Sequence, residues 1–379
     1  MERQLFGEKI ATTPAFVIDE TDVRRRLQSL ALLREESGCK VLYSMKALPL
    51  QSILELAIDV SDGISVSSLF EARLARECIA DHGSVHLTTP GLRKDEFPEL
   101  SELCSHVSFN STSQWRAMAG LGEVFSPGLR LNPKVPFVYD QRYDPCRLHS
   151  KLGVDIDTLD SVDGIEQLEG LHFHTVFSCP DFTPMSRTVE IIRHRLLNKM
   201  RNLKWLNLGG GYLFSQIEQR GAFVELVQGL RRDYAIDVYV EPGNDVVKQA
   251  GYLVSTVVDR FDSGGKTVAI LDTSVNHNPE VFEYQYQPEL LRQPCGDVPV
   301  ILAGSTCLAG DLFGEYGFAS KPEVGDRIVF KHCGAYSLIK AHRFNGYNLP
   351  DIYNWDGKNF QRLKHYDYQD YRRQWLVDG

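Results

Sequence analysis

The chain has 379 residues, 43% hydrophobic and 24% charged, with no low-complexity tract; this excludes a disordered or fibrous protein and leaves room for roughly two to three domains. The formal net charge of −9 argues against nucleic acid as a partner and suits a cationic substrate. The start, Met1-Glu-Arg-Gln-Leu-Phe-Gly-Glu-Lys-Ile10, is too charged for a signal peptide, and nothing approaches the ~18 uninterrupted apolar residues of a membrane span, so a cytoplasmic protein with no membrane partner is expected.

In chain order, Ala15-Phe-Val-Ile-Asp19 is a short β-prone run, followed by a longer helical stretch. Val41-Leu-Tyr-Ser-Met-Lys46-Ala-Leu-Pro49 is next: an apolar strand whose last residues deliver one amine before Pro49 restricts the backbone. A lysine after a strand is ordinarily a solvated loop charge. Held among apolar neighbours, it has a lowered pKa and can add to a carbonyl group as the free amine. The remainder of the chain decides between these.

From this strand onward, β-like runs begin near Val41, Ile64, Val85, His106 and Pro127, spaced 21 to 23 residues apart, with helical patterns such as Ser68–Ile79 between them. This period predicts βαβ units around a parallel sheet. Leu168–Val176, Trp205–Leu208 and Val238–Glu241 bring the strand candidates to eight, the count a (β/α)8 barrel needs. The residues at their C-terminal ends are Lys46, Ser67-Ser68, Thr88-Thr89, Asn110-Ser111, Arg130 with Asn132, His174, Gly209-Gly210-Gly211 and Glu241-Pro-Gly243. Chemistry on such a barrel is built at those ends, and all eight carry polar residues or glycine.

Beyond Gly243 the pattern becomes β-rich without long helices, through Val257–Arg260, Thr267–Asp272, Val298–Leu302 and Arg327–Lys331. The expected fold class is α/β, a (β/α)8 barrel joined to an antiparallel β-sheet or β-barrel domain. Residues 1–24 contribute a strand to the β domain, 25–250 form the barrel, and 251–379 complete the β domain. The tail after Tyr353, rich in Tyr, Asp and Arg, fits no element. Eight scattered cysteines without a CxxC pair are read as reduced thiols, and no metal-ligand pattern stands out.

Three glycines after a strand let backbone wrap an anion closely, though triple glycine is also a plain tight turn. Glu241, one strand further on, places an acid beside that turn. A lysine amine, a phosphate cradle and an acid for a ring nitrogen are together what pyridoxal 5′-phosphate requires.

These residues lie in motifs that resemble the alanine-racemase-fold (fold type III) amino-acid decarboxylases, which include the ornithine and diaminopimelate enzymes. The shared stretches are Tyr43–Ala47, Ser150–Gly153, Gly170–His174, Trp205–Gly211, Glu241–Gly243, Ile270–Ser274, Thr306–Asp311, Gly325–Val329 and Phe344–Gly346. The branch resembled most is that of the carboxynorspermidine decarboxylases, on the cysteine motif and Phe-Asn-Gly. The resemblance implies that Lys46 holds the cofactor, His174 stacks on it, and Gly209, Gly210, Gly211 and Gly243 hold its phosphate. It further implies that Glu241 pairs with the ring nitrogen, Tyr336 reaches the phosphate, and Arg130 stands close by. Cys307 matches the residue that returns a proton to Cα, and Asp311 the acid that engages the substrate's far amine; Glu283 and His277 are further substrate-binding candidates. In the family such sites are shared across a homodimer, with a small amino acid as the substrate.

The chain also departs from that branch. Thr175-Val-Phe-Ser-Cys-Pro180 lacks the expected glutamate, and Gly334-Ala-Tyr336 replaces a His-Tyr pair. The segment Val275–Glu283 is altered as well, so decarboxylation of a different amino acid remains open. An amino-acid racemase shares fold and cofactor, and a non-catalytic regulator of a decarboxylase is a third reading, although such proteins tend to lose the lysine or phosphate ligands kept here.

Overall fold

The computed structural model describes residues 9–118, 120–122, 125–162, 164–200, 203–217, 220–292 and 295–377; the opening Met1–Glu8 lies outside them. Two compact units are present, one from Arg25 to Val246 and the other formed by the residues through Arg24 with those from Val247 onward.

Strand β1 (Ala15–Asp19) belongs to the second unit. The first unit contains β2 (Lys40–Ser44), β3 (Gly63–Val66), β4 (Ser84–Thr89), β5 (His106–Phe109) and β6 (Ser126–Asn132). It continues with the two-residue β7 (Val154–Asp155), then β8 (Gly170–Phe173), β9 (Trp205–Asn207) and β10 (Asp237–Val240). Apart from β7, which hangs on β6, these strands pair in parallel and close through β10–β2 and β5–β6 into an eight-stranded barrel. Side chains are buried along both faces of the strands, because barrel interior and outer helices cover them; this is why the strands read as short apolar runs.

The helix Leu69–Ile79 shows how the outer layer is specified. Leu69, Ala72, Ala75 and Ile79 recur at helical spacing and are buried, and the Ser68 hydroxyl caps the helix by accepting the Glu71 amide at 3.2 Å. At the N-terminal end of the barrel, Trp205 fills the space above two glycines. A Cβ on Gly128 or Gly170 would fall 2.3 Å or 1.8 Å from its ring. The Trp205 Nε1–H donates to Ser126 Oγ at 2.8 Å, and the stacked pair His86 and His106, 3.9 Å apart, packs against it.

The second unit is built on β11 (Gly251–Ser263), which pairs antiparallel with β1 and β12 (Lys266–Leu271). Next come β13 (Val298–Ala303), β14 (Leu312–Phe318) and β15 (Arg327–Phe330), the last antiparallel to β11. The pairing is mixed: β12–β13 is parallel, and so is β1 with β16 (Asp351–Trp355). A parallel neighbour needs a crossover, and the chain between β12 and β13 makes it through the turn Val275–His277 and the helix Glu280–Tyr284. Alternation along β1 sends Phe16 into one core with Leu253, Phe313 and Phe330, and Val17 into another with Tyr252, Tyr353 and Trp355. The tail that the sequence left unassigned is a hairpin of β16 with β17 (Phe360–Lys364) and a helix, Tyr368–Trp375, capped by Asp367.

Candidate active site

The C-terminal ends of the barrel strands surround a cavity of about 360 Å3. Lys46, Arg130, His174 and Glu241 all line it, together with His172 and Ser65. Lys46 sits in the one-turn helix Met45–Ala47 directly after β2, with Met45 and Ala47 buried on either side. Its position is tied to the end of β10: the Ser44 amide donates to the Pro242 carbonyl at 2.9 Å, and a Cβ on Gly243 would lie 2.9 Å from Ser44 Cβ. Gly243 therefore serves here as the residue that lets the ends of β2 and β10 close up.

Loss of hydration lowers the Lys46 pKa; the nearby Glu241 carboxylate opposes this and Arg130 reinforces it. The Glu241 carboxyl is buried, which pushes its pKa up, but His172 first and then Lys46 outweigh this and hold it well below the usual carboxylate range. Its Oε1 accepts Ser65 Oγ–H at 3.0 Å and Asn207 Nδ2–H at 2.9 Å, leaving Oε2 3.7 Å from His172 Nε2. Burial lowers both histidines, His172 against the opposing pull of Glu241 and His174 well below its ordinary value, so His174 is a neutral imidazole near neutral pH. His174 Nδ1 accepts the Gly210 amide at 3.2 Å, which places the ring proton on Nε2. Burial also brings the Arg130 guanidinium down to about 10, where it stays protonated at neutral pH.

The glycine turn after β9 is dictated by close backbone approach. A Cβ on Gly209, Gly210 or Gly211 would stand 2.2 Å from the carbonyl oxygens of Phe173, Glu241 and Val176 respectively, and Gly209 and Gly211 have φ of +70° and +87°. The Gly209 and Gly210 amides donate to Asn207 Oδ1, at 2.9 Å, and to His174. Those two amides thus orient the site's own side chains.

The residues fit pyridoxal 5′-phosphate. The buried Arg130 Nε and both His172 nitrogens have no hydrogen-bond partner, the three-glycine turn leaves no room for side chains, and an ionised acid faces an amine of lowered pKa. The stretch Thr175–Pro180, which lacks the expected glutamate, puts Phe177 on the cavity wall, with its ring 6.4 Å from Tyr143.

The other sequence candidates are in the sheet unit. Cys307 is exposed, and its amide donates to Asn345 Oδ1 at 2.8 Å, so the cysteine motif and Phe344-Asn-Gly346 are one structure. Asn345 itself has φ +56°. Asp311 is buried: Oδ1 accepts the Val275 amide at 2.8 Å, and Oδ2 accepts the Thr306 amide at 3.0 Å and hydroxyl at 2.5 Å. It fixes the turn that carries Cys307. His277 is also internal, with Nδ1 2.9 Å from Thr273 Oγ1 and a pKa that burial brings down to about 4. Glu283 is exposed and pairs with Lys340 at 2.5 Å. Tyr336 holds a left-handed backbone, φ +59°, and the Lys340 ammonium lies 5.7 Å from its ring centre. For so bulky a residue that is strain of about 1–3 kcal/mol, held in place by its surroundings.

His172, Ser65 and Asn207 were not singled out from the sequence. The signal was present in strand alternation, since His172 lies two residues before His174 and Asn207 two before Gly209, so each shares a face with a residue already noted.

The family model described as pyridoxal-dependent decarboxylase, C-terminal sheet domain, matches residues 16–334. The chain is 32% identical to the carboxynorspermidine/carboxyspermidine decarboxylase of Campylobacter jejuni, over 97% of this chain and 99% of that one. It is 33% identical to the carboxyaminopropylagmatine decarboxylase of Synechocystis, over 95% and 94% of the two chains. The crystal structure of the Campylobacter jejuni carboxynorspermidine decarboxylase complexed with norspermidine superposes with a TM-score of 0.86, at 30% identity, covering 96% of this chain and all of that one.

Proposed function

The chain belongs to the pyridoxal-dependent decarboxylases, and on that premise we propose that it removes the α-carboxylate of a polyamine-type amino acid, carboxynorspermidine or carboxyspermidine, as carbon dioxide. The observation that carries this reading is the convergence of Lys46, Arg130, His174 and Glu241 on one cavity. A second substrate, carboxyaminopropylagmatine, is favoured equally by the 33% likeness to the Synechocystis enzyme. Each of these molecules has an α-amino acid at one end and a cationic tail.

Pyridoxal 5′-phosphate, when bound, supplies an electrophilic carbonyl and a ring that accepts the electron pair left by the departing carboxylate. Lys46 would hold it, because its lowered pKa makes the free amine available. Glu241, ionised and fixed by Ser65 and Asn207, would keep a proton on the ring nitrogen. His174 offers a neutral ring face, Arg130 supplies fixed positive charge, and the turn at Gly209 to Gly211 with Gly243 gives the phosphate a place beside backbone. Cys307, carried on the turn that Asp311 and Asn345 hold, would donate the proton that replaces the carboxylate at Cα, and Tyr336 would reach the phosphate. Cys307 acts within a homodimer in the cytoplasm, each subunit completing its partner's site.

The test is direct. Purified, cofactor-loaded protein is incubated with carboxynorspermidine, carboxyspermidine, carboxyaminopropylagmatine, diaminopimelate and ornithine while carbon dioxide is measured. Release from the first three supports the reading, and release from none of the five refutes it.

A further inference from the structure

Asp311 and Glu283, two of the residues expected to read the substrate's tail, are engaged by Val275, Thr306 and Lys340, and the barrel cavity carries acids of its own. Among the described residues that line it, two are acids, Glu241 and Asp144. Glu241 lies at the strand ends beside Lys46. Asp144 belongs to the long connection between β6 and β7, on the wall of the same cavity.

Asp144 is only 3% exposed. Its Oδ1 accepts the Cys146 amide at 2.8 Å, closing a tight turn, while the buried Oδ2 has no hydrogen-bond partner. A buried carboxylate oxygen without a donor is costly, and a wall that keeps one carries an acceptor for a group the cavity takes in. The basic residues on the same wall do not meet that need. Arg142 is exposed and paired with Asp140 at 2.7 Å, and Arg147 and Lys151 are exposed, where solvent and salt screen them. The neighbouring wall, Tyr143 against Phe177, is aromatic and suits the methylene links of a polyamine.

We propose that Asp144 is the specificity-determining residue of this site, and that its free oxygen accepts a hydrogen bond from a cationic nitrogen of the substrate's tail. The inference rests on the decarboxylase reading and deepens it, since it names a polycationic tail as the feature recognised.

The test uses full-length, cofactor-loaded protein with D144N, D144S and, as control, D140N. Both position-144 variants retain an oxygen for the Cys146 amide, so the turn survives while the charge is lost. Binding of norspermidine, the product type, is measured by calorimetry, and KM and kcat are measured with carboxynorspermidine. For either position-144 variant the Kd and KM are expected to rise roughly tenfold to hundredfold, the loss of a charge-assisted hydrogen bond, with kcat within about threefold and D140N unchanged. If D144N fails to retain its cofactor band, D144S is judged by the same criteria. A wild-type enzyme that works on carboxynorspermidine, with variants whose Kd stays within about twofold, overturns the role of Asp144 and leaves the decarboxylase reading intact. A wild-type protein that neither binds norspermidine nor releases carbon dioxide overturns both.

Discussion

Asn207 Nδ2 donates to Glu241 Oε1 at 2.9 Å, while Asn207 Oδ1 accepts the Gly209 amide at the same distance. One side-chain amide therefore joins the acid of the site to its glycine turn, and both its ends are buried. Replacing it with leucine removes one of the two hydrogen bonds to Glu241 Oε1, raises the carboxyl pKa, and frees the turn. Asn207→Leu is expected to lower kcat by roughly tenfold to hundredfold, the worth of a hydrogen bond to a buried charge. Its bound cofactor should also show an absorption spectrum that changes with pH where the wild type's is constant. An unchanged spectrum with unchanged kcat would remove Asn207 from the account.

The glycine turn makes a sharper prediction. A methyl group on Gly210 would lie 2.2 Å from the Glu241 carbonyl oxygen, and backbone at the end of β10 has little room to shift. Gly210→Ala is expected to destabilise the protein by about 2–4 kcal/mol and to abolish retention of the cofactor on gel filtration. Gly221→Ala serves as control, because a Cβ there meets nothing within 4 Å.

These two positions also show what the sequence makes legible and what it hides. Lys46, the glycines and Glu241 stand where short apolar runs end, and the recurrence of those runs at 21 to 23 residues makes the barrel and its ends countable. Asn207, Ser65 and His172 lie one alternation inside the strands, where a lone polar residue in a run of three or four is indistinguishable from an ordinary core position. Asp311 stands out by its motif as a binding candidate, but the motif does not reveal that its carboxylate clamps a turn through Val275 and Thr306, because an acid near backbone amides looks the same in either role. The tail gave no signal, since β16 and β17 mix Tyr, Asn, Arg and Lys without strict alternation, and β16 is buried on both faces.

The buried histidines contribute to the acid sensitivity of the fold. Burial brings His106 and His277 down to about 4, and His86 well below its ordinary value. The folded state holds each neutral, so the unfolded chain binds more protons between about pH 4 and 6.5, and stability falls as pH drops through that window. Each such histidine contributes about 1.4 kcal/mol per pH unit there. Thermal melts from pH 7 to 4 should show a steep decline in Tm, and His106→Gln should flatten it; an identical slope in the variant would contradict this.

Cys307 and Asn345 are expected to act together. Cys307→Ala should reduce turnover by roughly 100-fold, the scale of a lost proton donor, and let protonation occur without control of the face. Asn345→Ala, which removes the acceptor for the Cys307 amide, should reduce it by roughly tenfold with the stereochemistry of the product partly scrambled. Turnover in deuterium oxide with chiral analysis of the labelled product separates the two effects.

Whether Lys46 is the residue that holds the vitamin B6 aldehyde is tested most directly by reducing the cofactor-loaded protein with borohydride and mapping the modified peptide by mass spectrometry. The pyridoxyl phosphate mass is expected on the lysine at position 46 alone, with Lys46→Ala unlabelled and inactive. A label on any other lysine, or an active Lys46→Ala enzyme, would contradict the central claim.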